Sequence, residues 1–249
     1  MTNDGGQRIA TASGAMLADP ASLGNVAGTG GSGFAATMSV FEPTFWAERG
    51  ELSDVTRGRG SAWFIASTPH QWALRHYRRG GVIARISRDR YVWAGETRVR
   101  AFLEWRLLAA LVRRGLPVPT PVAARYTRHG LWYRCDLITQ RIVGAEPLSS
   151  ILARTVVDER TWREIGATVA RFHAARVDHA DLNAHNVLLD EKGTVSVIDF
   201  DRGRLRAPGP WARRNLSRLQ RSLVKVARHL PADRFPSAAW GWLLAGYAS

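Results

Sequence analysis

One stretch of this chain constrains its fold more than any other: D-H-A-D-L-N-A-H-N-V-L-L-D-E-K-G-T-V-S-V-I-D-F-D, residues 178–201. Two short apolar runs, Val187 to Asp190 and Thr194 to Ile198, flank Glu191 to Gly193, and a glycine closing such a turn supplies the positive φ that a hairpin needs. The spacing predicts a β-hairpin. Asp181 and Asn186 precede it and Asp199 leaves it, so the hairpin folds one carboxamide and two carboxylates, up to 18 residues apart in sequence, toward one point.

The rest of the chain reads as elements around that hairpin. Residues 1–40 are rich in Gly, Ala, Ser and Thr, with apolar clusters around Ile9 and Met16 that suit one edge strand; otherwise they read as a flexible arm. Ser61 to Ile65 follows a glycine turn and predicts a strand. Trp72 to Tyr77 alternates as a second, with Trp72, Leu74 and His76 on one face and Ala73, Arg75 and Tyr77 on the other. From Arg98 to Arg114, Phe102, Trp105, Leu108, Leu111 and Val112 recur at helical spacing, with Glu104 one position off the stripe. The three prolines of L-P-V-P-T-P-V, residues 116–122, predict an extended connector rather than a helix or central strand. Leu131 to Gln140 predicts a strand, Thr139 to Gly144 a boundary, and Thr161 to Ala175 a helix.

Charge narrows the partners. There are 35 basic and 21 acidic residues, a net charge of +14, which implies an anionic partner such as nucleic acid, a phospholipid surface or a phosphorylated substrate. Lys192 and Lys225 are the only lysines, an arginine excess that reads as codon usage, and no chemistry before residue 192 can use a lysine. A single cysteine, Cys135, forbids an intrachain disulfide and points to a reducing compartment. The longest apolar run, Trp240 to Ala248, falls short of the roughly 20 residues that span a bilayer, and Asp4 stands where a signal peptide would be cationic. The expectation is a chain neither secreted nor membrane-spanning.

A carboxylate, an asparagine five residues on, and a second carboxylate after a hairpin form the parts list of metal-assisted phosphoryl transfer. In such a site Asn186 and Asp199 hold Mg²⁺ on the phosphates of ATP, and Asp181 orients the acceptor hydroxyl and takes its proton. The protein-kinase strings H-R-D-L-x-x-x-N and D-F-G stand here as H-A-D-L-N-A-H-N and D-F-D. Whether Asp201 is a further ligand is open. Gly58 and Gly60, in G-R-G-S, suit a loop whose amides cover phosphates, or an ordinary hairpin turn. His173, His179 and His185 offer a transition-metal alternative, but no H-E-x-x-H or Cys-His spacing supports it; His179 and His173 read as structural.

Beyond those strings, W-A-L-R-H-Y-R-R-G-G, S-R-D-R-Y-V-W-A-G, L-P-V-P-T-P-V, H-A-D-L-N-A-H-N-V-L-L-D and D-F-D-R-G-R-L-R resemble the 3-deoxy-D-manno-octulosonic acid (Kdo) kinases, lipopolysaccharide-core sugar kinases of the protein-kinase-like superfamily. The likeness runs from about Gly58 to near the C-terminus; the first 40 residues match poorly. It implies ATP-dependent phosphorylation of the 4-hydroxyl of Kdo on a lipid A precursor, at the cytoplasmic face of the inner membrane of a Gram-negative bacterium, with no nucleic acid partner. Against the general kinase pattern, Arg75 occupies the strand position of the phosphate-binding lysine, from which its fork can hold phosphate and Glu104 together. Ala180 replaces the arginine of H-R-D, and no A-P-E follows, so control by a phosphorylated activation loop is not expected.

Residues 202–232 hold nine Arg or Lys and no acid. Trp211, Leu216, Leu219, Leu223, Val226 and Leu230 suggest one apolar helical face, backed by Arg213, Arg214, Arg218, Arg221, Lys225 and Arg228 that suit an anionic membrane surface or lipid A phosphates; a helix on the core with a solvated basic back is the alternative. The fold expected is α+β and bilobal, protein-kinase-like: a flexible arm at 1–40, a β-rich N-lobe at 41–138, a hinge at 139–145 and a small helical C-lobe at 146–249, with ATP between the lobes. Another small-molecule or protein kinase of the superfamily is one alternative function. A non-catalytic basic module binding RNA or membrane is the other.

Overall fold

The computed structural model describes residues 6–19, 38–55, 62–78, 89–231 and 234–249. Gly58 and Gly60 lie outside them. The fold is mixed α+β in two compact units, one of residues up to Ala109 with Pro119–Arg141, the other of Ala110–Val118 with Ile142–Ser249.

Among the described residues the first unit is an antiparallel sheet of eight strands: β1 (Gln7–Thr11), β2 (Gly14–Ala18), β3 (Leu52–Val55), β4 (Ala62–Ser67), β5 (His70–His76), β6 (Tyr91–Val92), β7 (Pro121–His129) and β8 (Trp132–Gln140). Their order is β1-β2-β7-β8-β5-β4-β3, with β6 beside β8. The helices α1 (Pro43–Ala47), which is short, and α2 (Arg100–Arg113), whose last turn is counted with the second unit, belong here. Alternation along β5 decides what each face does. Trp72 and Leu74 enter a core with Met16, Phe41, Trp46, Ile65, Val122 and Ile138. Burial of each such side chain contributes about 1.5–3 kcal/mol. Arg75 and Tyr77 project from the opposite face toward Glu104 of α2.

Three expectations are corrected. Residues 7–18 form two strands rather than one edge strand in a flexible arm, and β2 is no edge: it lies between β1 and β7 with Ala15 and Met16 fully buried. A strand buried on both faces shows no alternation, so A-M-L-A carried no period to read. Pro121 opens β7, a central strand, rather than excluding one; it stands at the first position, where a register shift before Ala123 removes the need for its missing N–H. The unit boundary is also not a single cut. Residues 110–118 go with the second unit, since Arg114 Nη1 donates to Ala175 O (3.0 Å), Arg171 Nη2 to Gly115 O (2.9 Å) and Val197 N to Pro117 O (3.0 Å).

The second unit holds β9 (Glu146–Pro147), α3 (Leu148–Arg154), α4 (Glu159–Ala174), β10 (Val177–Asp178), β11 (Val187–Leu189), β12 (Val195–Val197), β13 (Arg204–Leu205), α5 (Trp211–Ala227) and α6 (Ala239–Ala248). Strands β11 and β12 are the expected hairpin, pairing Val187 with Val197 and Leu189 with Val195. Its turn is held by Asp190 Oδ1, which accepts from the amides of Lys192 (2.9 Å) and Thr194 (2.7 Å), and by Gly193 at φ 79°. Asp158 caps α4 by accepting from Thr161 N (2.8 Å). Helices α4 and α6 cross in close contact, because a Cβ at Gly166 would lie 1.9 Å from Leu243 O and one at Gly246 2.0 Å from Arg163 O.

Candidate active site

The loop between β10 and β11 is built around His179, 3% exposed. Its Nδ1 accepts from Asp181 N (3.2 Å), so the proton sits on Nε2, which donates to Ile198 O (3.0 Å). Burial depresses the imidazole's pKa and favours this neutral form. One side chain thus ties the residue before the D-F-D string to the backbone of Asp181. Phe200 of that string is buried, its ring 4.7 Å from His179 and 5.7 Å from Phe172.

Asn186 completes the tie. Its Nδ2 donates to Asp181 O (2.9 Å), as does Asn183 Nδ2 (2.9 Å), while its own carbonyl accepts from Ile198 N (2.9 Å). With the amide nitrogen engaged, Oδ1 is the end that Asn186 can offer to a cation. Asp199 follows Ile198 directly and stands at φ 63°, a left-handed conformation that a non-glycine residue holds at a cost of order 1–3 kcal/mol. The structure therefore ties the backbones of Asp181, Asn186 and Ile198, the residue before Asp199, together through bonds of 2.9–3.2 Å.

Helix α5 anchors this loop from outside. Asn215 accepts from His179 N through Oδ1 (3.0 Å) and donates through Nδ2 to Asp178 Oδ1 (3.1 Å); two turns on, Ser222 Oγ accepts from Ala184 N (3.1 Å). Burial pushes the Asp178 carboxyl up, but its bonds from Arg206 (2.9 Å) and Asn215 outweigh this and hold it below the usual carboxylate range. Arg218, between the two anchors, places Nη1 3.7 Å from Asp181 Oδ1. Sequence reasoning passed over Asn215 and Ser222, and it named Arg218 only among the cations suited to an anionic surface. The buried face of α5 runs Trp211, Asn215, Leu219, Leu223, with Leu216 only half-buried, and a polar residue four positions from both Trp211 and Leu219 was the available signal.

In the first unit, Arg75 Nη2 pairs with Glu104 Oε2. Tyr77, two residues along the same face of β5, donates its hydroxyl to the same oxygen and accepts from Arg75 Nη2 at 3.0 Å. Burial drives the Tyr77 phenol well above its usual pKa, so it stays a proton donor to Glu104. The sequence named the arginine and the glutamate but not Tyr77, whose place on the Arg75 face was its signal.

The histidines do not gather. His173 is packed edge-on against Trp211 with Nδ1 2.9 Å from the Tyr247 hydroxyl, and His185 lies at the surface with Nδ1 2.7 Å from Ser149 Oγ. Among the described residues no three His, Cys, Asp or Glu side chains are grouped as a metal site. An Asn–Asp pair of oxygen donors instead has the chemistry of a magnesium site, which needs only one or two protein ligands beside phosphate and water.

The profile of the lipopolysaccharide kinase (Kdo/WaaP) family matches residues 43–247, which take in both units. The chain belongs to that family. Among relatives of this lipopolysaccharide kinase, a protein of Xylella fastidiosa (strain M23) named 3-deoxy-D-manno-octulosonic acid kinase is 49% identical over 196 residues, 78% of each chain. One of the same name from Xanthomonas axonopodis pv. citri (strain 306) is 47% identical over 192 residues, 77% of this chain and 76% of its own. The family match includes Arg75, Glu104, Asp181, Asn186 and Asp199 and begins after β1 and β2.

Proposed function

We propose that this kinase transfers the γ-phosphoryl group of ATP to the 4-hydroxyl of a Kdo sugar carried on a lipid A precursor. The observation that carries the reading is the bonded frame of His179, Asn186 and Ile198, which gives Asp181, Asn186 and Asp199 fixed backbones on which to present three different side chains. Fixed positions count because phosphoryl transfer is catalysed mainly by alignment and charge stabilisation.

Asp181 accepts the hydrogen bond of the acceptor hydroxyl and takes its proton as the oxygen bonds to phosphorus and the bond to the β-phosphate oxygen breaks, releasing ADP. Asn186 Oδ1 and the Asp199 carboxylate are the ligands for Mg²⁺, which when bound neutralises the charge of the nucleotide phosphates. Arg75, steered by Glu104 and Tyr77, is the cation for those phosphates in a chain with no lysine there.

No helix among the described residues is long and apolar enough to cross a membrane. We therefore assign the enzyme to the cytoplasmic face of the inner membrane of a Gram-negative bacterium as a peripheral protein, held by the acid-free face of α5 on anionic lipid, with no role for nucleic acid. The test offers labelled ATP with Kdo-bearing lipid A precursor, free sugar, a generic protein and RNA to one preparation. Only the first should be labelled; label on protein or RNA alone overturns the reading.

A further inference from the structure

Arg218 has no structural duty of the kind its neighbours perform. Asn215 and Ser222 bind the loop backbone, and Leu219 and Leu223 are core. The Arg218 side chain is 46% exposed, its Nη1 lies 3.7 Å from Asp181 Oδ1, and the Asp181 side chain is 60% exposed. At that distance, with both ends open to water, the pair adds little stability. It is also too long for the bidentate clasp that would occupy the fork. The row it belongs to works against the helix: Arg214, Arg218, Arg221 and Lys225 follow at steps of four, three and four, with no acid from 202 to 232 to offset their repulsion. Cations so arranged are explained by an anion they receive.

We propose that Arg218 binds the carboxylate of the acceptor sugar. The proposal rests on the phosphotransfer reading and adds the group by which the acceptor is recognised. An ulosonic acid carries its carboxylate at C1, and three carbon–carbon bonds of about 1.5 Å each separate that carbon from the one bearing the 4-hydroxyl. A hydroxyl bonded to Asp181 and a carboxylate bonded to a guanidinium 3.7 Å away therefore fit on one sugar ring. Once Arg218 has a carboxylate of its own to pair with, Asp181 faces the hydroxyl, and a neutral sugar lacking the acid leaves the arginine unmatched. Selection for the acid then comes from α5, fixed to the loop by Asn215 and Ser222, rather than from the loop itself.

The experiment measures kcat and KM on the Kdo-bearing lipid A precursor and on the same acceptor with its carboxylate converted to the carboxamide, using wild type, Arg218→Gln and Arg218→Lys. Wild-type turnover of the acid is the check on the phosphotransfer reading, and its absence sinks that reading rather than this one. Loss of the charged bond should raise the acceptor KM of Arg218→Gln about 10- to 100-fold with KM for ATP unchanged, with Arg218→Lys intermediate. The carboxamide should cost wild type a similar factor and Arg218→Gln nothing more. Wild type that uses the carboxamide as well as the acid overturns the proposal without recourse to any variant. So do losses that multiply, or a fall in kcat at constant acceptor KM, which would make Arg218 a positioning residue for Asp181.

Discussion

Asp181 is held mainly by its backbone: His179, Asn183 and Asn186 bind its amide and carbonyl, while its exposed carboxylate faces Arg218 at 3.7 Å. Asp181→Asn keeps those bonds and the shape but takes no proton, so kcat should fall about 10²- to 10⁴-fold while KM for ATP stays within a factor of about two. Steady-state kinetics decide it, and an unchanged kcat removes Asp181 from the mechanism. Arg75, proposed as the phosphate-binding cation, differs because it also pairs with Glu104 and Tyr77. Bonds to charged groups contribute about 1.5–3 kcal/mol, so Arg75→Ala should lower kcat/KM for ATP about 10- to 100-fold. Arg75→Lys should lose less, since it keeps the charge but not the fork. Equal activity of both variants and wild type would place the phosphate-binding cation elsewhere. Asp181, Asn186 and Asp199 could be named as candidates because they stand in a readable spacing: D-x-x-x-x-N, a hairpin, then D. Asn215 and Tyr77 were not, because each acts by bonding a residue more than 25 positions away, and no local pattern records that.

Among the elements, legibility followed periodicity. Strand β5, helices α2 and α4 and the β11–β12 hairpin each bury one face or need one turn glycine, and each was read to within a few residues. Strand β2 buries both faces and was read only as part of a single edge strand. The same holds for contacts that depend on small residues: nothing near Gly166 or Gly246 signals that two backbones meet there. Gly166→Ala should force α4 off α6, because the new carbon would sit 1.9 Å from a carbonyl oxygen that cannot step aside. Overpacking of this kind costs about 1–3 kcal/mol or more, so calorimetry should show a clear drop in melting temperature; an unchanged value would mean the helices do not meet as described. Across β5, β8 and β7 runs a charged row, with His76 Nδ1 2.5 Å from Asp136 and Arg125 Nε 2.6 Å from it. The hydrogen bond to Asp136 raises the His76 pKa against burial, with help from the charges of Asp136 and Asp89. A proton held more tightly in the folded chain stabilises it below the unfolded value of about 6.5, and that contribution is lost as pH rises through the folded value. His173 and His179 are depressed by burial and act oppositely, their penalty growing as pH falls below about 6.5. The melting temperature should therefore fall with rising pH on the alkaline side in wild type and less steeply in His76→Gln, with the slope on the acid side alike in both. Parallel alkaline limbs would show that the row is not the source.

For the molecule as a whole the dominant number is its net charge of +14, and the question is which part of that charge meets a surface. Arginine scattered by codon usage would bind anionic vesicles diffusely, and no few substitutions would matter. The α5 row is different in kind, since Arg214, Arg221 and Lys225 are exposed, share a helix fixed to the catalytic loop, and lie in a tract without acid. Each cation near an anionic bilayer contributes about 1 kcal/mol. Replacing those three by glutamine, with Arg218 kept, should thus lower partitioning onto anionic vesicles by up to about a hundredfold. At 1 M salt the Debye length shrinks to about 3 Å, so wild type should come off the same vesicles. Neutral vesicles should bind both proteins equally weakly, which separates charge from insertion of apolar side chains. Activity makes the final distinction: KM for the lipid-borne acceptor should rise in the triple variant, while KM for ATP should hold, because the Arg75–Glu104–Tyr77 cluster and the Asn186–Asp199 pair are untouched. If the triple variant sediments with anionic vesicles as wild type does, α5 is a solvated face. The net charge must then be explained by codon usage or by another basic patch.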